Sequence, residues 1–231
     1  MNMENKYGGI LLSLPADTPL PDAMRQNILN RWDSANAEGE IDEMIDYCQT
    51  IACPKAFIKA AEIAEADENG CTLDGTRFTG PLIAEKLSNV GETAVGYVIT
   101  CGRELHDYAE SLNDDILMQS AAMDVCLAYL QMIRTEANTY VKETYFPDAH
   151  MAVLNPGSLN SWPLSGQREL FAFLGEGADA TGIELKKSLL MVPYKSGSGV
   201  YFKTEKHYEN CMRCPKLDCP GRRAPYNEEE A

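Results

Sequence analysis

Three cysteines stand within nine residues near the C-terminus, in Cys211-Met-Arg-Cys214-Pro-Lys-Leu-Asp-Cys219. A Cys-x-x-Cys knuckle lets two thiolates reach one metal ion, and Cys219 offers a third. His207, four residues ahead, could complete a Cys3His zinc site. A more distant thiol, Cys53 or Cys101, could instead complete an iron–sulfur cluster, which usually needs four thiolates. Pro215 and Pro220 follow two of the cysteines directly and stiffen the backbone, as Cys-Pro pairs do at ferredoxin-type sites. Zinc would make the tail a structural staple, and iron–sulfur would supply an electron; a redox dithiol and inert thiols are the other readings of this spacing. Between Cys211 and Arg223 the chain also carries Arg213, Lys216 and Arg222 against Asp218 alone, a local basic segment that could meet an anionic ligand or an acidic partner.

A second segment with chemical potential is Ser196-Gly197-Ser198-Gly199, which follows Leu190-Met-Val-Pro193 and precedes Val200-Tyr201-Phe202. Between two short apolar strands, a Gly/Ser loop allows backbone amides to approach a ligand, because glycine lacks the Cβ barrier and permits positive φ. A plain flexible hairpin is the competing reading. No Gly-Lys-Ser/Thr closes the loop, so it is not a Walker loop, and no helix follows it, so it is not a dinucleotide fingerprint. Neither a nucleophile elbow nor a zinc-protease motif occurs elsewhere, which argues against an independent hydrolase or kinase.

The elements that must hold these segments are readable from periodicity. The first seventy residues read as helical with loops: a start signal at Pro19, Pro21 and Asp22 precedes AMRQNILNRW, and EIDEMIDYCQTI repeats apolar residues at helical spacing. KAFIKAAEIAEA, residues 55–66, is ambiguous between strand and helix. Asp74-Gly75 predicts a tight turn between short strands, and Thr79 a helix cap. AVGYVIT reads as a buried strand ending at Cys101-Gly102. From Arg103 to about Lys142 the helical pattern is strongest, with a break near Asn113-Asp114 and small residues at Ser120, Ala121 and Ala122 that let another backbone approach. Cys126 on this helix reads as a small buried apolar group. Loop chemistry follows at Asn155-Pro156-Gly157-Ser158 and Ser161-Trp162-Pro163, then a short helix over 167–174 and a strand over 189–192.

A chain of 231 residues with 45% apolar composition can bury a full core, and no linker divides it. A net charge of -15 argues against nucleic acid or an anionic membrane as partner. The N-terminus, MNMENKYGG, lacks the basic and apolar regions of a signal peptide, and no apolar run is expected to cross a bilayer. The expected location is the cytoplasm, where eight cysteines serve as thiols, ligands or redox groups rather than disulfides. The last residues, 227–231, are expected to fray.

The order Pro156-Gly157, Leu170-Phe171, Leu190-Met191-Val-Pro193 and Ser196-Gly-Ser-Gly-Val-Tyr-Phe202 resembles the reactivation domain of cobalamin-dependent methionine synthase, with the likeness spanning roughly residues 94–202. The resemblance implies an α+β fold: a curved single domain with a twisted antiparallel sheet and flanking helices, over 1–203, with 1–90 its helical N-terminal part and 204–231 an added Cys-rich metal-binding tail. It also implies a function. The family's domain clamps a cobalamin-binding module whose cobalt has been oxidised to cob(II), and binds S-adenosylmethionine so that reduction by flavodoxin or ferredoxin is coupled to methylation. Tyr201 and Phe202 match the family's Tyr-Phe pair at the S-adenosyl ligand, Pro156 and Gly157 match its Pro-Gly turn, and Ser196 and Ser198 lie on the same ligand-facing segment. Where the family carries an arginine four residues before that glycine and a tyrosine after it, this chain has Val153 and Ser158. Without a fixed guanidinium the methionine carboxylate loses a bidentate partner, so S-adenosylmethionine binding is left open. Nothing in the chain resembles homocysteine, folate or cobalamin-binding domains, so the implied protein is a freestanding activator of a separate corrinoid protein. The alternative is a non-catalytic, metal-stapled module that recruits a partner through its basic tail.

Overall fold

The computed structural model describes residues 1–32, 39–219 and 222–227. Pro220 and most of the terminal segment expected to fray lie outside the described residues.

The chain opens with a hairpin, β1 (Asn2–Lys6) and β2 (Gly9–Ser13), where a helical reading was expected. Tyr7 and Gly8 both have positive φ (56° and 72°), the geometry of a two-residue turn that matches strand twist. Every residue of β1 is exposed, so it carries no apolar alternation from which it could be read. Helices α1 (Asp22–Arg31) and α2 (Glu40–Ile51) follow as the periodicity predicts, and Ile41, Met44, Ile45 and Cys48 form the buried stripe of α2. The ambiguous segment is a strand, β3 (Lys55–Asp67), in which Ala56, Phe57 and Ile58 are consecutively buried. A continuous apolar run of this kind marks a strand covered on both faces, and here it outweighs the alanine-rich helical composition.

Strands β4 (Gly70–Leu73) and β5 (Thr76–Thr79) are joined by the expected turn, with φ of 46° at Asp74 and 76° at Gly75. Helix α3 (Pro81–Lys86) starts on a proline at its first position rather than on a Thr79 cap. Thr79 instead donates its hydroxyl to Glu169 Oε1 at 2.7 Å. Next come β6 (Thr93–Thr100), α4 (Arg103–Ser111), α5 (Ile116–Tyr145) and β7 (His150–Leu154), with the helix break where the sequence places it. The rest comprises α6 (Gln167–Leu174), α7 (Glu176–Ala180), the short pair β8 (Glu184–Leu185) and β9 (Met191–Val192), and β10 (Ser196–Thr204). One open sheet runs β1-β2-β3-β6-β10-β7, with β4 and β5 attached beyond β3. The pairs β10–β7 and β3–β4 are antiparallel: Tyr201 lies opposite Val153 in the first, and Ile63 opposite Leu73 in the second.

Two compact units divide these elements, and β3, β6, α5 and β10 contribute residues to both. The first unit holds residues 1–57, 98–138 and 176–197. Its core includes Leu12, Ile45, Leu105, Val125 and Ile133, all without exposed surface. Each such side chain contributes roughly 1.5–3 kcal/mol on burial. Tyr129 Oη donates to Thr18 O at 2.7 Å, and Arg25 reaches Asp42 and Asp46 at 2.5 and 2.6 Å, tying α1 to α2. Helix α5 is long and apolar enough, by length and composition, to cross a membrane, yet 44% of that window is buried inside the protein. Ala121, Ala122, Val125 and Cys126 form its fully buried small-residue stripe, the pattern of a core helix. The second unit holds residues 58–97, 139–175 and 198–231. It is packed around Phe78, Leu82, Leu154, Trp162 and Phe173.

Candidate functional site

Ser196 to Gly199 do not form a loop between strands: they are the first four residues of β10. Neither Gly197 nor Gly199 has positive φ, so turn freedom is not what these glycines supply. Their role is close approach. A Cβ at Gly199 would sit 2.3 Å from the carbonyl oxygen of Leu154 and 2.7 Å from Asn155 Nδ2, so only glycine lets β10 lie this near the end of β7.

That proximity assembles a buried polar network in the second unit. Ser198 is 5% exposed and donates its hydroxyl to Gln167 Oε1 at 2.9 Å, and Gln167 is itself 3% exposed. Asn155 Nδ2 donates both to the Ser198 carbonyl and to Tyr97 Oη, each at 2.8 Å, while Asn210 Nδ2 reaches Asn155 Oδ1 at 3.3 Å. Buried polar groups are stable only when satisfied, so this network fixes β6, β7, β10 and the start of α6 as one polar seam. Asn155 also opens a β-turn: Ser158 N donates to Asn155 O at 3.1 Å, Pro156 is at the second position, and Gly157 at the third has φ 81°. This is type II turn chemistry, which demands glycine there. Pro156 is buried and Gly157 exposed, so the turn presents backbone rather than side chain to solvent. Trp162, fully buried, anchors the loop behind: Gly157 N donates to its carbonyl at 2.9 Å, and a Cβ at Gly166 would meet its Nε1 at 2.4 Å.

Tyr201 and Phe202 are 3% and 4% exposed. Tyr201 stacks on Tyr97 with ring centroids 4.5 Å apart, and Phe202 meets Tyr208 at 6.2 Å. Both rings lie within the second unit's packing. Ser196 belongs to the first unit, where its hydroxyl donates to Pro193 O at 2.7 Å after a cis Val192-Pro193 bond. Sequence reasoning missed Gln167, Asn155, Asn210 and Tyr97. The one available signal was a run of polar residues, Asn155 to Gln167, too rich in loop chemistry to require burial.

Among the described residues no group of three or more His, Cys, Asp or Glu side chains gathers as metal ligands, so Cys211, Cys214, Cys219 and His207 are not assembled into a site. What organises the loop is a guanidinium. Arg222 donates to the carbonyls of Cys211, Cys214, Lys216 and Ala224 at 2.7 to 3.0 Å, and Arg223 N points at Cys211 Sγ at 3.4 Å. His207 is exposed, and the three thiols are half-buried. The basic segment is also committed internally. Arg213 forms a bidentate pair with Glu85 at 2.6 and 2.7 Å, which holds that carboxyl below its usual range, and Arg223 pairs with Glu209 at 2.9 Å.

The distant ligand candidates Cys53 and Cys101 belong to the first unit and the tail to the second. Burial pushes the Cys48 thiol up to about 12 and Cys71 up to about 11. A hydrogen bond shared with Cys101, together with burial, raises Cys126 as well. These three are packing groups rather than nucleophiles at neutral pH, as read for Cys126.

No protein-family profile matches this sequence, and no curated protein does. Among solved structures, the crystal structure of the MetH reactivation domain bound to AdoHcy is similar, with a TM-score of 0.61 and 13% identity over 87% of this chain and 81% of that one. The chain has the fold of that reactivation domain: α+β, with an open antiparallel sheet and, among the described residues, seven α-helices.

Proposed function

We propose that this chain is an accessory protein for the reductive activation of a corrinoid-dependent methyltransferase, acting on a cobalamin-bearing module carried by a separate protein. The observation that carries the reading is the fold shared over 87% of the chain with a reactivation domain whose crystal structure holds AdoHcy. The physical task is to bind the reduction-competent corrinoid geometry more tightly than the resting cob(II) form, since only differential affinity moves such an equilibrium. An electron from a flavodoxin or ferredoxin then completes the reduction to cob(I), and S-adenosylmethionine gives up its sulfonium methyl group to the cobalt, leaving AdoHcy.

In this reading the exposed backbone at Gly157, on its buried Pro156, meets the S-adenosyl ligand. Ser198, Tyr201 and Phe202 hold β10 rigid behind the turn, and Ser196 heads the same strand. Val153, at the position where the family carries an arginine, offers no cation for the ligand's carboxylate. Arg213 and Arg223 are paired with Glu85 and Glu209, which reduces the positive charge the tail offers a partner, and the Arg222 guanidinium is engaged by backbone carbonyls. Calorimetric titration of the full chain with AdoHcy is the first test. A saturable heat, weakened several-fold by Gly157→Val, supports the reading; no heat, together with failure to co-purify with any corrinoid protein, removes it.

A further inference from the structure

Cys48, Cys71, Cys101 and Cys126 are buried in the core, whereas Cys211, Cys214 and Cys219 keep part of their surface within reach of solvent. Corrinoid activation as proposed uses none of these three tail thiols. The backbone that carries the first two is already wound into a turn. Residues Asn210–Met212 form a 3-10 helix, in which Met212 N donates to Glu209 O at 2.9 Å, Arg213 N to Asn210 O at 3.2 Å and Cys214 N to Cys211 O at 3.4 Å. In such a helix residues i and i+3 are eclipsed and the chain rises about 2 Å per residue, which places Cys211 and Cys214 on one edge with Cα atoms about 6 Å apart. Disulfides span roughly 4.4–6.8 Å between Cα atoms, so the turn holds the pair within disulfide reach.

Contacts from outside the turn keep it in this shape. Arg222 donates to the carbonyls of both cysteines, at 2.7 Å to Cys211 O and 2.8 Å to Cys214 O, so one planar guanidinium ties the two residues to each other. Arg213, which lies between them in sequence, makes its two bonds to Glu85 and so fixes the middle of the turn to α3. Arg223 N donates to Cys211 Sγ at 3.4 Å, which orients the first sulfur. Ordering of this kind meets in advance much of the entropy cost of bringing two thiols together, and it lets an intramolecular partner outcompete a free thiol.

We propose that Cys211 and Cys214 are a redox-active dithiol in the second unit, closing reversibly to a disulfide by exchange with a small disulfide oxidant. One thiolate of the pair attacks a sulfur of the oxidant, whose S–S bond breaks to release one small thiol. The other thiolate then attacks the protein sulfur of that mixed disulfide and releases the second small thiol. Two protein thiols are oxidised, the oxidant is reduced to two thiols, and the protons given up by the cysteines end on the departing thiolates. The dithiol lies within the second unit and does not depend on the corrinoid reading.

The test is thiol mapping on the full chain. The protein is treated with EDTA, reduced, desalted and equilibrated with glutathione mixtures of rising disulfide content. Remaining thiols are then trapped with N-ethylmaleimide, and tryptic peptides are read by mass spectrometry. Cleavage after Arg213 separates the two cysteines, so only a Cys211–Cys214 bond keeps their peptides together. That linked species, split by dithiothreitol, is expected to accumulate while Cys219 is alkylated. Cys219→Ser is expected to leave the bond intact, and Cys214→Ser to hold one glutathione on Cys211. Arg222→Lys, which releases the carbonyls, is expected to slow closure by about 10-fold with an unchanged circular dichroism spectrum. Alkylation of all three tail thiols at every glutathione ratio, or a bond from Cys211 to Cys219 instead, overturns the proposal. So does a zinc or iron ion that survives EDTA and keeps the three thiols from exchange.

Discussion

Gly199 acts through the atom it lacks. With Leu154 O only 2.3 Å from the position of a Cβ, Gly199→Ala must push β10 away from β7 or bend one of them, and is expected to cost about 2–4 kcal/mol in urea denaturation. The same displacement would break the Asn155 bonds to Ser198 and Tyr97. Gln167→Leu leaves the buried Ser198 hydroxyl without its acceptor and should cost about 1–3 kcal/mol. His106 is 4% exposed, its ring edge-on to Tyr194 at 4.9 Å, and burial holds its pKa below the usual 6.5. The folded state therefore binds that proton less readily than the unfolded chain does. The stability tied to neutral His106 is fully present above the unfolded value near 6.5 and is lost as pH falls toward the depressed folded value. Denaturation midpoints measured between pH 7 and 5 should fall more steeply for the native chain than for His106→Gln. The residue scale is also where sequence legibility is poorest. Ser196-Gly-Ser-Gly199 reads as a loop because composition does not record which neighbour a missing Cβ makes room for, and the buried bond of Gln167 is invisible because its partner is 31 residues away.

At the scale of elements, the sequence is legible wherever burial is one-sided and periodic. Helices α2, α4, α5 and α6 follow from apolar stripes, and the β4–β5 turn follows from Asp74-Gly75. Legibility fails at two strands. Strand β1 is wholly exposed, and β3 carries a run buried on both faces, so neither shows the alternation a strand reading needs. In the tail, Cys-x-x-Cys spacing points to an ion, while the structure closes the loop on Arg222. Cysteine spacing is visible in sequence, but four backbone carbonyls converging on one guanidinium are not. Arg222→Lys provides a point charge that cannot serve four acceptors, so residues 211–219 should become sensitive to limited proteolysis while the global urea midpoint moves little. Unchanged protease resistance in that variant would show that something other than Arg222 holds the loop.

For the whole molecule, the fold of a reactivation domain is kept at 13% identity, which leaves the α+β architecture as what the two chains have in common. The resemblance was legible because it rests on short segments, Pro156-Gly157 and residues 193–202, where backbone geometry restricts the choice of residue. The ligand contacts were less so: Tyr201 and Phe202 keep the family pattern in sequence, yet here their rings are packed inside the second unit. A protein of net charge -15 should associate with a partner whose docking face is basic, and the complex should weaken as salt rises. The central claim concerns cobalt, and its most direct test is to titrate a cob(II)alamin-loaded corrinoid protein with this chain while recording the visible spectrum. The account predicts a saturable spectral change that tracks formation of a complex; an unchanged spectrum with no complex at any ratio would contradict it.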